Sequence, residues 1–293
     1  MMIQTVLAGP NMTISLQQAL ADADSLKTVS ESYQLDAELL LSHVIEKPRE
    51  YLKAHSEDEV SEEHYTQFQA LIARRQKGEP VAYLVGHKAF WDFDLQVNES
   101  VLIPRPETEV LVELCLTKLE NSATSLRIAD LGTGSGAIAI ALARANTDWQ
   151  VHAVELSKPA LVVAQSNAKS LAVNNIEFHL GSWCDGLPGE KFDLIVANPP
   201  YVEPGDKHLQ QDGLPFEPTL AQVAEDSGFA AQNKIMHGAI NYLKKDAWLL
   251  MEHGYNQQQQ LLKNLVELGF GEVEGHKDYA GVERVVQGRW ISE

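Results

Sequence analysis

The 293-residue chain predicts an α/β fold, a doubly wound and mostly parallel sheet behind a small N-terminal helical domain. From residue 126 onward, short apolar runs rich in β-branched residues alternate with helical patterns, as repeated β-α units with right-handed crossovers do. Before Gly86 the patterns are helical only, and residues 89–102 alternate as a β-hairpin does. We therefore predict a helical domain at 1–86, a hairpin linker at 87–105 and an α/β domain at 106–293.

The N-terminal domain is predicted to be helical because caps and apolar spacing recur along it. Ser15, with Gln18 three residues later, matches a capping box. Ser61 is a second candidate N-cap, of a helix that we expect to end at Gly78. A further helix is predicted where five residues share one face: Leu35, Leu39, Leu40, His43 and Val44. The domain shows no catalytic pattern. It therefore serves as a docking surface for the substrate, as a lid, or only as a packing element.

The second domain is predicted to alternate strands and helices. Strands are expected at residues 126–131, 151–155, 176–180, 192–197, 248–252 and 283–290. Helices are expected at residues 137–143, 158–171 and 257–268. Pro104 and Pro106 around Arg105 predict a stiff segment that opens another helix and either borders a pocket or is a plain linker. Residues 203–227 are predicted to form an irregular loop.

The charge balance bears on the partners of the chain. The net charge is −18, from 23 basic and 41 acidic residues. Nucleic-acid binders usually carry a basic surface, because Lys and Arg neutralise phosphates. A direct nucleic-acid substrate is therefore not expected, whereas a basic protein partner is compatible with this charge.

Other features of the composition favour a cytoplasmic protein without a metal. Cys115 and Cys184 are the two cysteines, far apart in sequence, which fits a reducing compartment. The ten histidines lack the spacing of known ligand motifs, so no metal is predicted. The sequence has no run of about 18 apolar residues that predicts a membrane span. Residues 1–10 lack the basic start and apolar stretch of a signal peptide.

A glycine-rich turn follows the first strand of the α/β domain, with the residues Gly132, Thr133, Gly134, Ser135 and Gly136. Glycines at this place let the backbone pass close to a bound ligand. The third glycine comes one residue earlier than in the Gly-x-Gly-x-x-Gly pattern of dinucleotide folds. On its own the turn does not distinguish dinucleotide, nucleotide and S-adenosylmethionine sites.

Three residues at neighbouring strand ends extend this candidate pocket. Glu155 ends the second strand, where a carboxylate can bind both hydroxyls of a ribose. Asp130, near the end of the first strand, can attract a cationic ligand such as a sulfonium. Trp183 follows the third strand, where it either stacks on an adenine ring or packs in the core. The turn and Glu155 together predict a cofactor site.

The strand at residues 192–197 runs into Asn198, Pro199, Pro200 and Tyr201. The prolines end the strand because they have no N–H for a sheet ladder, and Asn198 is biased to an extended backbone by the proline after it. We expect a rigid shelf at the carboxyl end of a strand, where open α/β sheets bind ligands. Its amide and carbonyl acceptors suit a planar –NH₂ group whose nitrogen reacts. A strand-ending turn without function is the alternative.

These residues together resemble the peptide chain release factor glutamine methyltransferases, a family of class I S-adenosylmethionine-dependent enzymes. The resemblance covers nearly the whole chain and includes residues 104–109, 216–218, 226–228, 252–254 and 283–284. It implies a Rossmann-like methyltransferase sheet. It also implies a cytoplasmic enzyme that methylates the glutamine of the Gly-Gly-Gln loop in class I release factors, in translation termination.

The resemblance implies roles for the candidate residues as well. Asn198, Pro199, Pro200 and Tyr201 would hold the glutamine side chain, with Asn198, Pro199 and Tyr201 as the catalytic residues. S-adenosylmethionine would contact the residues that match the cofactor motifs: Gly132, Thr133, Gly134, Ser135, Gly136, Glu155, Trp183 and Asn198. Two positions depart from the family pattern, because Glu155 stands where many relatives carry Asp and Ser182 stands where Asp is usual.

Three other functions remain open at this point. A methyltransferase for a glutamine of a ribosomal protein would share every motif of the catalytic domain. A methyltransferase for the exocyclic amine of adenine uses the same shelf, but it predicts a basic groove and a target-reading domain, which the sequence does not show. A silent module that binds S-adenosylmethionine or a release factor is disfavoured by the intact Asn198 and glycine turn.

Overall fold

The computed structural model describes residues 14–120, 122, 124–210 and 213–292. Residues 1–10, for which no signal peptide is predicted, lie outside this part. The chain divides into two compact units, Met1–Val85 and Gly86–Glu293, which we call the helical unit and the sheet unit. None of the described helices is long and apolar enough to cross a membrane.

The helical unit has its own apolar core. Its elements are β1 (Ile14–Ser15), α1 (Leu16–Asp22), α2 (Tyr33–Ile45), α3 (Arg49–Ala54), β2 (Glu59–Val60), α4 (Glu62–Arg75) and α5 (Val81–Val85). The predicted capping box is confirmed, because Ser15 Oγ accepts from the Gln18 N–H at 3.2 Å and Gln18 Oε1 accepts from the Ser15 N–H at 3.0 Å. Ser61 is confirmed as the N-cap of α4 and accepts from the His64 N–H at 3.1 Å.

Two predictions for this unit are wrong in detail. Three of the five residues expected on the inward face of α2 are exposed, namely Leu35, Leu39 and His43. The face is turned because Asp36 points inward, where its carboxylate pairs with the Arg75 guanidinium at 2.8 Å. α4 ends at Arg75, and the predicted end, Gly78, lies in the turn beyond it.

The sheet unit contains seven strands in one sheet with helices around it. Its elements are β3 (His87–Phe90), β4 (Phe93–Gln96), α6 (Pro106–Leu119), β5 (Arg127–Leu131), α7 (Ala137–Ala145), β6 (Gln150–Glu155), α8 (Lys158–Ser170), β7 (Ile176–Leu180), β8 (Phe192–Ala197), α9 (Ala230–Ala239), β9 (Leu243–Glu252), α10 (Gln258–Glu267), β10 (Phe270–Lys277) and β11 (Glu283–Trp290). The strand order is β10-β11-β9-β8-β5-β6-β7. Strands β9 through β7 pair in parallel, and β11 is antiparallel to both of its neighbours. The predicted Rossmann-like, doubly wound sheet is confirmed.

The bounds of most predicted elements hold, and the differences have a physical origin. β7, β8 and β11 begin and end where the sequence predicts. β9 begins at Leu243 rather than at residue 248. The charged residues 244–246 interrupt the run of apolar residues from which the strand was predicted, so its first half was not recognised. β10 and α9 were not expected: β10 is a polar edge strand with two glycines, and α9 begins without a side-chain cap. The described part of the predicted loop at 203–227 contains short 3₁₀ turns and one isolated β-bridge, between Val202 and Val223.

The predicted hairpin is confirmed as the antiparallel pair β3 and β4. Its apolar residues Phe90, Phe93 and Leu95 are buried in the core of the sheet unit. Asn167 on α8 fixes it further, because the amide accepts from the Gln96 N–H at 2.7 Å and donates to the Gln96 carbonyl at 3.0 Å. The hairpin thus lies within the sheet unit, and its role as a linker stays a prediction.

The chain reverses its direction of travel across the sheet between β5 and β8. β6 and β7 follow β5 to one side, whereas β8 and β9 lie on the other side of β5. In open α/β sheets the loops at such a switch point diverge and leave a crevice at the carboxyl ends of the strands. Leu131 and Ala197, the last residues of β5 and β8, are paired in register. The glycine turn and Asn198, which follow these two strands, therefore start next to each other.

Candidate active site

Two adjoining cavities lie at this crevice. The first, of about 350 Å³, is lined by residues 132–135 of the glycine turn and by Glu155 and Trp183. The second, of about 490 Å³, is lined by Pro199, Tyr201 and the carboxyl end of β9. Residues that line both cavities are Leu102, Arg105, Asn198, Pro200 and Ala221. A ligand in the first cavity and a ligand in the second would meet at Asn198.

The glycine turn bends tightly under the first cavity. Gly132 has a φ of +78°, and a Cβ built on it would lie 2.9 Å from the Trp183 ring. A Cβ on Gly134, whose φ is +56°, would meet no atom within 4 Å. Gly132 therefore lets the indole approach the turn, and Gly134 borders open space. Thr133 and Ser135 line the same cavity.

Gly136 contributes to helix packing rather than to the wall of a cavity. It is not among the residues that line the cavities, and it begins α7 with a φ of +89°. A Cβ here would lie 3.0 Å from Ile140 and 3.4 Å from Ala164 of α8. Its predicted contact with the cofactor is therefore indirect, because Gly136 lets α7 pack closely on α8 and so holds the turn.

Glu155 faces the first cavity with its carboxylate fixed by the backbone. Its Oε2 accepts from the Gly134 N–H at 2.9 Å, and its Oε1 accepts from the Ser157 N–H at 2.8 Å. Each carboxylate oxygen has a further lone pair. The side chain is thus preorganised to accept from two more donors, as the pair of hydroxyls on a ribose would require.

Asp130 lies near the end of β5, as predicted, but not on a cavity wall. It is fully buried and lines neither cavity, and its Oδ2 accepts from Thr133 Oγ1 at 2.6 Å and from the Ala139 N–H at 3.1 Å. Burial raises the pKa of Asp130 to about 7. That it attracts a cationic ligand stays a prediction. In the structure it ties the glycine turn to the first turn of α7.

Trp183 stands beside the first cavity with a φ of +50°. The residue before it, Ser182, accepts a hydrogen bond from Lys234 Nζ at 3.0 Å. Lys234 also lines the cavity and lies 3.3 Å from Asp185. At position 182, where the resemblance implies a carboxylate, this chain therefore places a hydroxyl held by a lysine.

Asn198 is held by a chain of hydrogen bonds that starts on β9. Thr108 Oγ1 donates to Glu252 Oε2 at 2.8 Å, and it accepts from Asn198 Nδ2 at 3.0 Å. A threonine hydroxyl has one hydrogen. Since this hydrogen is donated to Glu252, Thr108 can only accept a hydrogen bond from Asn198. The NH₂ side of the Asn198 amide therefore faces Thr108. The Oδ1 atom of Asn198 is left as an acceptor for a ligand.

Glu252 is the titratable group of this network. It is buried, and burial raises its pKa to about 7, while the hydrogen bond from Thr108 and the charge of Arg284 act in the opposite direction. Tyr201 Oη lies 3.5 Å from Glu252 Oε1, and burial together with this neighbouring carboxyl raises the pKa of Tyr201. Tyr201 therefore stays a neutral phenol at physiological pH.

The buried amide of Gln257 joins three loops behind the shelf. Its Nε2 donates to the carbonyls of Tyr201 and Gly228, at 3.1 and 3.2 Å, and its Oε1 accepts from the Gly254 N–H at 2.9 Å. A Cβ on Gly228 would lie 2.5 Å from the Tyr201 carbonyl oxygen. The shelf is thus held by a side chain that also lines the second cavity, and only a glycine fits at position 228.

The stiff segment around Arg105 borders the site, so that alternative of the prediction is confirmed. Pro104 lines the first cavity and Arg105 lines both. Arg105 forms an ion pair with the buried Glu217, whose other oxygen accepts from the Ile103 N–H at 3.0 Å. The irregular loop that carries Glu217 is fixed to the wall of the site in this way.

Sequence reasoning gave no role to the supporting residues Thr108, Glu252 and Gln257, although the resemblance included the segments that contain Thr108 and Glu252. A signal for Glu252 existed, because it ends a strand and the carboxyl ends of neighbouring parallel strands meet at one edge. Thr108 and Gln257 lie within helical patterns, where nothing in the spacing marks them. Only the tertiary contacts reveal that each carries a hydrogen bond to the shelf.

The first cavity fits S-adenosylmethionine. Its volume lies in the usual range of small-molecule sites, about 300–1,000 Å³. The glycine turn leaves room that a side chain would fill, and the fixed Glu155 carboxylate offers two acceptors for a ribose. The indole of Trp183 supplies an apolar surface of the kind on which a flat base packs.

Comparisons with known proteins agree with this fold and site. The model of the PrmC N-terminal domain matches residues 17–86, and a model of a methyltransferase domain matches residues 122–286. A methyltransferase structure from Pyrococcus furiosus, 17% identical, has a TM-score of 0.53 over 76% of this chain and 98% of that chain. The ribosomal protein L11 methylase of Lactobacillus delbrueckii, 21% identical, has a TM-score of 0.50 over 68% and 86%. These two likenesses concern the fold. Fold, site and domain model together define an S-adenosylmethionine-dependent methyltransferase.

Two curated relatives narrow the class. The release factor glutamine methyltransferase of Aliivibrio fischeri is 44% identical over 283 residues, 96% of this chain and 99% of the relative. That of Escherichia coli K12 is 42% identical over 274 residues, 94% of this chain and 98% of the relative. The chain belongs to the release factor glutamine methyltransferase family.

Proposed function

We propose that this enzyme transfers a methyl group from S-adenosylmethionine to the side-chain amide nitrogen of the glutamine in the Gly-Gly-Gln motif of class I peptide chain release factors. The observation that carries the proposal is the fixed amide of Asn198 on the wall shared by the two cavities. Its Nδ2 is engaged by Thr108, so its Oδ1 is left to accept from a planar –NH₂ group. The names of the relatives support the choice of glutamine as that group.

The first cavity is the proposed cofactor site. Glu155 would bind the ribose hydroxyls, Trp183 would pack on the adenine, and the backbone of Gly132, Thr133, Gly134 and Ser135 would enclose the rest, with Gly136 shaping the turn. Asn198 would contact the same ligand from the other side. Bound there, S-adenosylmethionine supplies an electrophilic methyl group on a sulfonium.

The second cavity is the proposed site of the glutamine side chain. The lone pair of an amide nitrogen is delocalised into its carbonyl, so the nitrogen is a poor nucleophile. Asn198 Oδ1 and the Pro199 carbonyl would accept its two hydrogens, which directs the lone pair at the first cavity and favours a pyramidal nitrogen in the transition state. Pro200 and Tyr201 would pack against the amide plane. The nitrogen gains the methyl group and then releases one proton, so no strong general base is required.

We further propose that the helical domain, residues 1–86, docks the folded release factor, while residues 87–105 connect it to the methyltransferase domain at 106–293. The acidic net charge of −18 suits a protein partner with basic patches and disfavours direct nucleic-acid binding. The expected place of the reaction is the cytoplasm, which the two widely spaced cysteines fit.

The test is methyl transfer from labelled S-adenosylmethionine to intact class I release factors and, in parallel, to ribosomal proteins. Peptide mass spectrometry should place a single added methyl group on the glutamine of the Gly-Gly-Gln motif. A release factor with Asn in place of that glutamine is the matched control and should remain unlabelled. Preferential labelling of a ribosomal protein would replace this proposal by a ribosomal-protein glutamine methyltransferase, and labelling of adenine in nucleic acid would replace it by an adenine methyltransferase.

A further inference from the structure

A cluster of three metal-ligating side chains lies on one face of the strands β6 and β7. His152 of β6 is in register with Glu177 of β7, and His179 follows two residues later on the same face. His152 Nδ1 lies 3.0 Å from His179 Nε2. None of the three residues lines either cavity of the active site. The cluster therefore has no part in the proposed methyl transfer.

The spacing of the ligand atoms suits one small cation. Glu177 Oε2 lies 3.9 Å from His152 Nδ1, and Glu177 Oε1 lies 3.8 Å from His179 Nε2. Zinc binds imidazole nitrogen at about 2.0–2.1 Å and carboxylate oxygen at about 2.0–2.2 Å, so two ligands of a tetrahedral ion are about 3.4 Å apart. The separation of the two nitrogens is slightly shorter than this value and the two nitrogen–oxygen separations are slightly longer, so small side-chain shifts would bring all three ligands to one ion. Two nitrogens and one oxygen on an ion leave a fourth position for water, as in three-ligand zinc sites.

The hydrogen bonding and packing of the two histidines also suit a cation. Without an ion the two rings share one proton between Nδ1 and Nε2, and the buried His152 Nε2 has no hydrogen-bond partner among the described residues. The rings lie nearly parallel, at an angle of 7°, with Phe192 packed edge-on against His152. The contacts of His152 with His179 and Phe192 hold this ligand in place before any ion binds.

We propose that His152, Glu177 and His179 form a binding site for a divalent transition-metal ion of the Zn²⁺ class. Imidazole with one carboxylate is a donor set that such ions favour over Mg²⁺ or Ca²⁺, which take oxygen ligands. The ion joins β6 to β7, which is the edge strand of the sheet. Its effect is to fasten that edge, since the ligands come from both strands.

The test uses the full-length protein, freed of metal with a chelator and then titrated with Zn²⁺ by calorimetry. One saturable site should be measured, and added Zn²⁺ should raise the unfolding temperature. Co²⁺ in place of Zn²⁺ should give the visible absorption of a four-coordinate site. His179→Gln and Glu177→Gln should each weaken Zn²⁺ binding by at least about tenfold, because loss even of a partner behind a ligand weakens metal binding about 10–100-fold.

Two matched controls separate ligation from charge and from surface histidines. Glu190 lies near His152 but outside the cluster, and it forms an ion pair with Arg127. Glu190→Gln should therefore leave the affinity for Zn²⁺ within about threefold of wild type. His237 is exposed on α9, and His237→Ala should also leave it unchanged. The proposal is overturned by absence of a saturable Zn²⁺ site, or by equal affinities of the wild type and a folded His179→Gln variant.

Discussion

Asn198 and Thr108, 90 positions apart in sequence, are joined by a hydrogen bond of 3.0 Å from the amide nitrogen to the hydroxyl oxygen. The contact links the end of β8 to the first turn of α6. It determines which atom of the Asn198 amide faces the ligand, because the hydroxyl hydrogen of Thr108 is used by Glu252. Thr108 is thus a positioning residue in the proposed mechanism.

Thr108→Val removes the acceptor of Asn198 Nδ2 while keeping the shape of the side chain. The Asn198 amide can then rotate, and a misplacement of about 1 Å can cost about 10²-fold in rate. We expect kcat on an intact release factor to fall about 10–100-fold, with the affinity for S-adenosylmethionine within about threefold of wild type. Thr108→Ser keeps the hydroxyl and should restore most of the rate. An unchanged kcat in the valine variant would show that the amide is held by other contacts.

Asn198→Ala removes the proposed acceptor itself. Loss of one preorganised polar group in an active site lowers kcat by about 10²–10³. Because Asn198 lies on a cavity wall and is half-buried, the fold should survive, which circular dichroism and the unfolding temperature check. Asn174→Ala, at an exposed asparagine of a surface turn, is the matched control and should be neutral. A folded Asn198→Ala variant with nearly wild-type turnover would remove Asn198 from the chemistry.

Glu155→Ala removes the carboxylate that is proposed to bind the ribose. Two charge-assisted hydrogen bonds are at stake, each worth about 1.5–3 kcal/mol. Calorimetry should show at least about tenfold weaker binding of S-adenosylmethionine. Glu155→Asp should retain much of the affinity, and Glu267→Ala, at an exposed ion pair of α10, should retain all of it. Equal affinities of the alanine variant and the wild type would place the ribose elsewhere.

How far the sequence alone reaches can be judged from the same residues. Local sequence patterns predict the glycine turn, Glu155 and the shelf at Asn198. In each case the pattern also predicts that the feature lies at the end of a strand. Their common location follows from the carboxyl-end rule for parallel sheets. Local patterns do not reveal whether a carboxyl faces a cavity or is fully buried, so the burial of Asp130 could not be predicted. Thr108 and Gln257 act through contacts 90 and 56 positions away in sequence, which spacing does not encode.

Glu252 makes stability depend on pH. Its pKa is raised from 4.5 to about 7 in the folded protein, mainly by burial. Between these values the native state binds a proton that the unfolded state releases, so the free energy of unfolding falls as pH rises. The contribution is fully present below about pH 4.5 and is lost as pH passes about 7.

Glu252→Gln removes this titration and keeps an oxygen that can accept from Thr108. We expect the free energy of unfolding of the variant, relative to wild type, to rise with pH between about 4.5 and 7, by up to about 3 kcal/mol. Urea unfolding at several pH values measures it. The comparison with wild type cancels Asp130, whose pKa is also raised to about 7. Parallel stability profiles for the two proteins would show that Glu252 is not the group concerned.

Docking by the helical domain predicts that an intact release factor is methylated much faster than a short Gly-Gly-Gln peptide. The sheet unit contains both cavities, so any presented glutamine could react there, and preference for a folded protein has to come from other surfaces. Leu35 and Leu39 are exposed one helical turn apart on α2, 39% and 36% accessible, and apolar side chains so placed suit a protein contact.

The double variant Leu35→Glu, Leu39→Glu should therefore raise KM for an intact release factor by at least about tenfold, equivalent to about 1.4 kcal/mol, and leave the rate on the peptide unchanged. Both residues lie on the surface, so the fold of the helical unit should persist. Val266→Glu, at an exposed valine of α10 in the sheet unit, is the matched control and should change neither rate. Equal wild-type rates on peptide and protein would contradict docking altogether. A folded double variant with an unchanged KM would instead exclude this face of α2 as the contact.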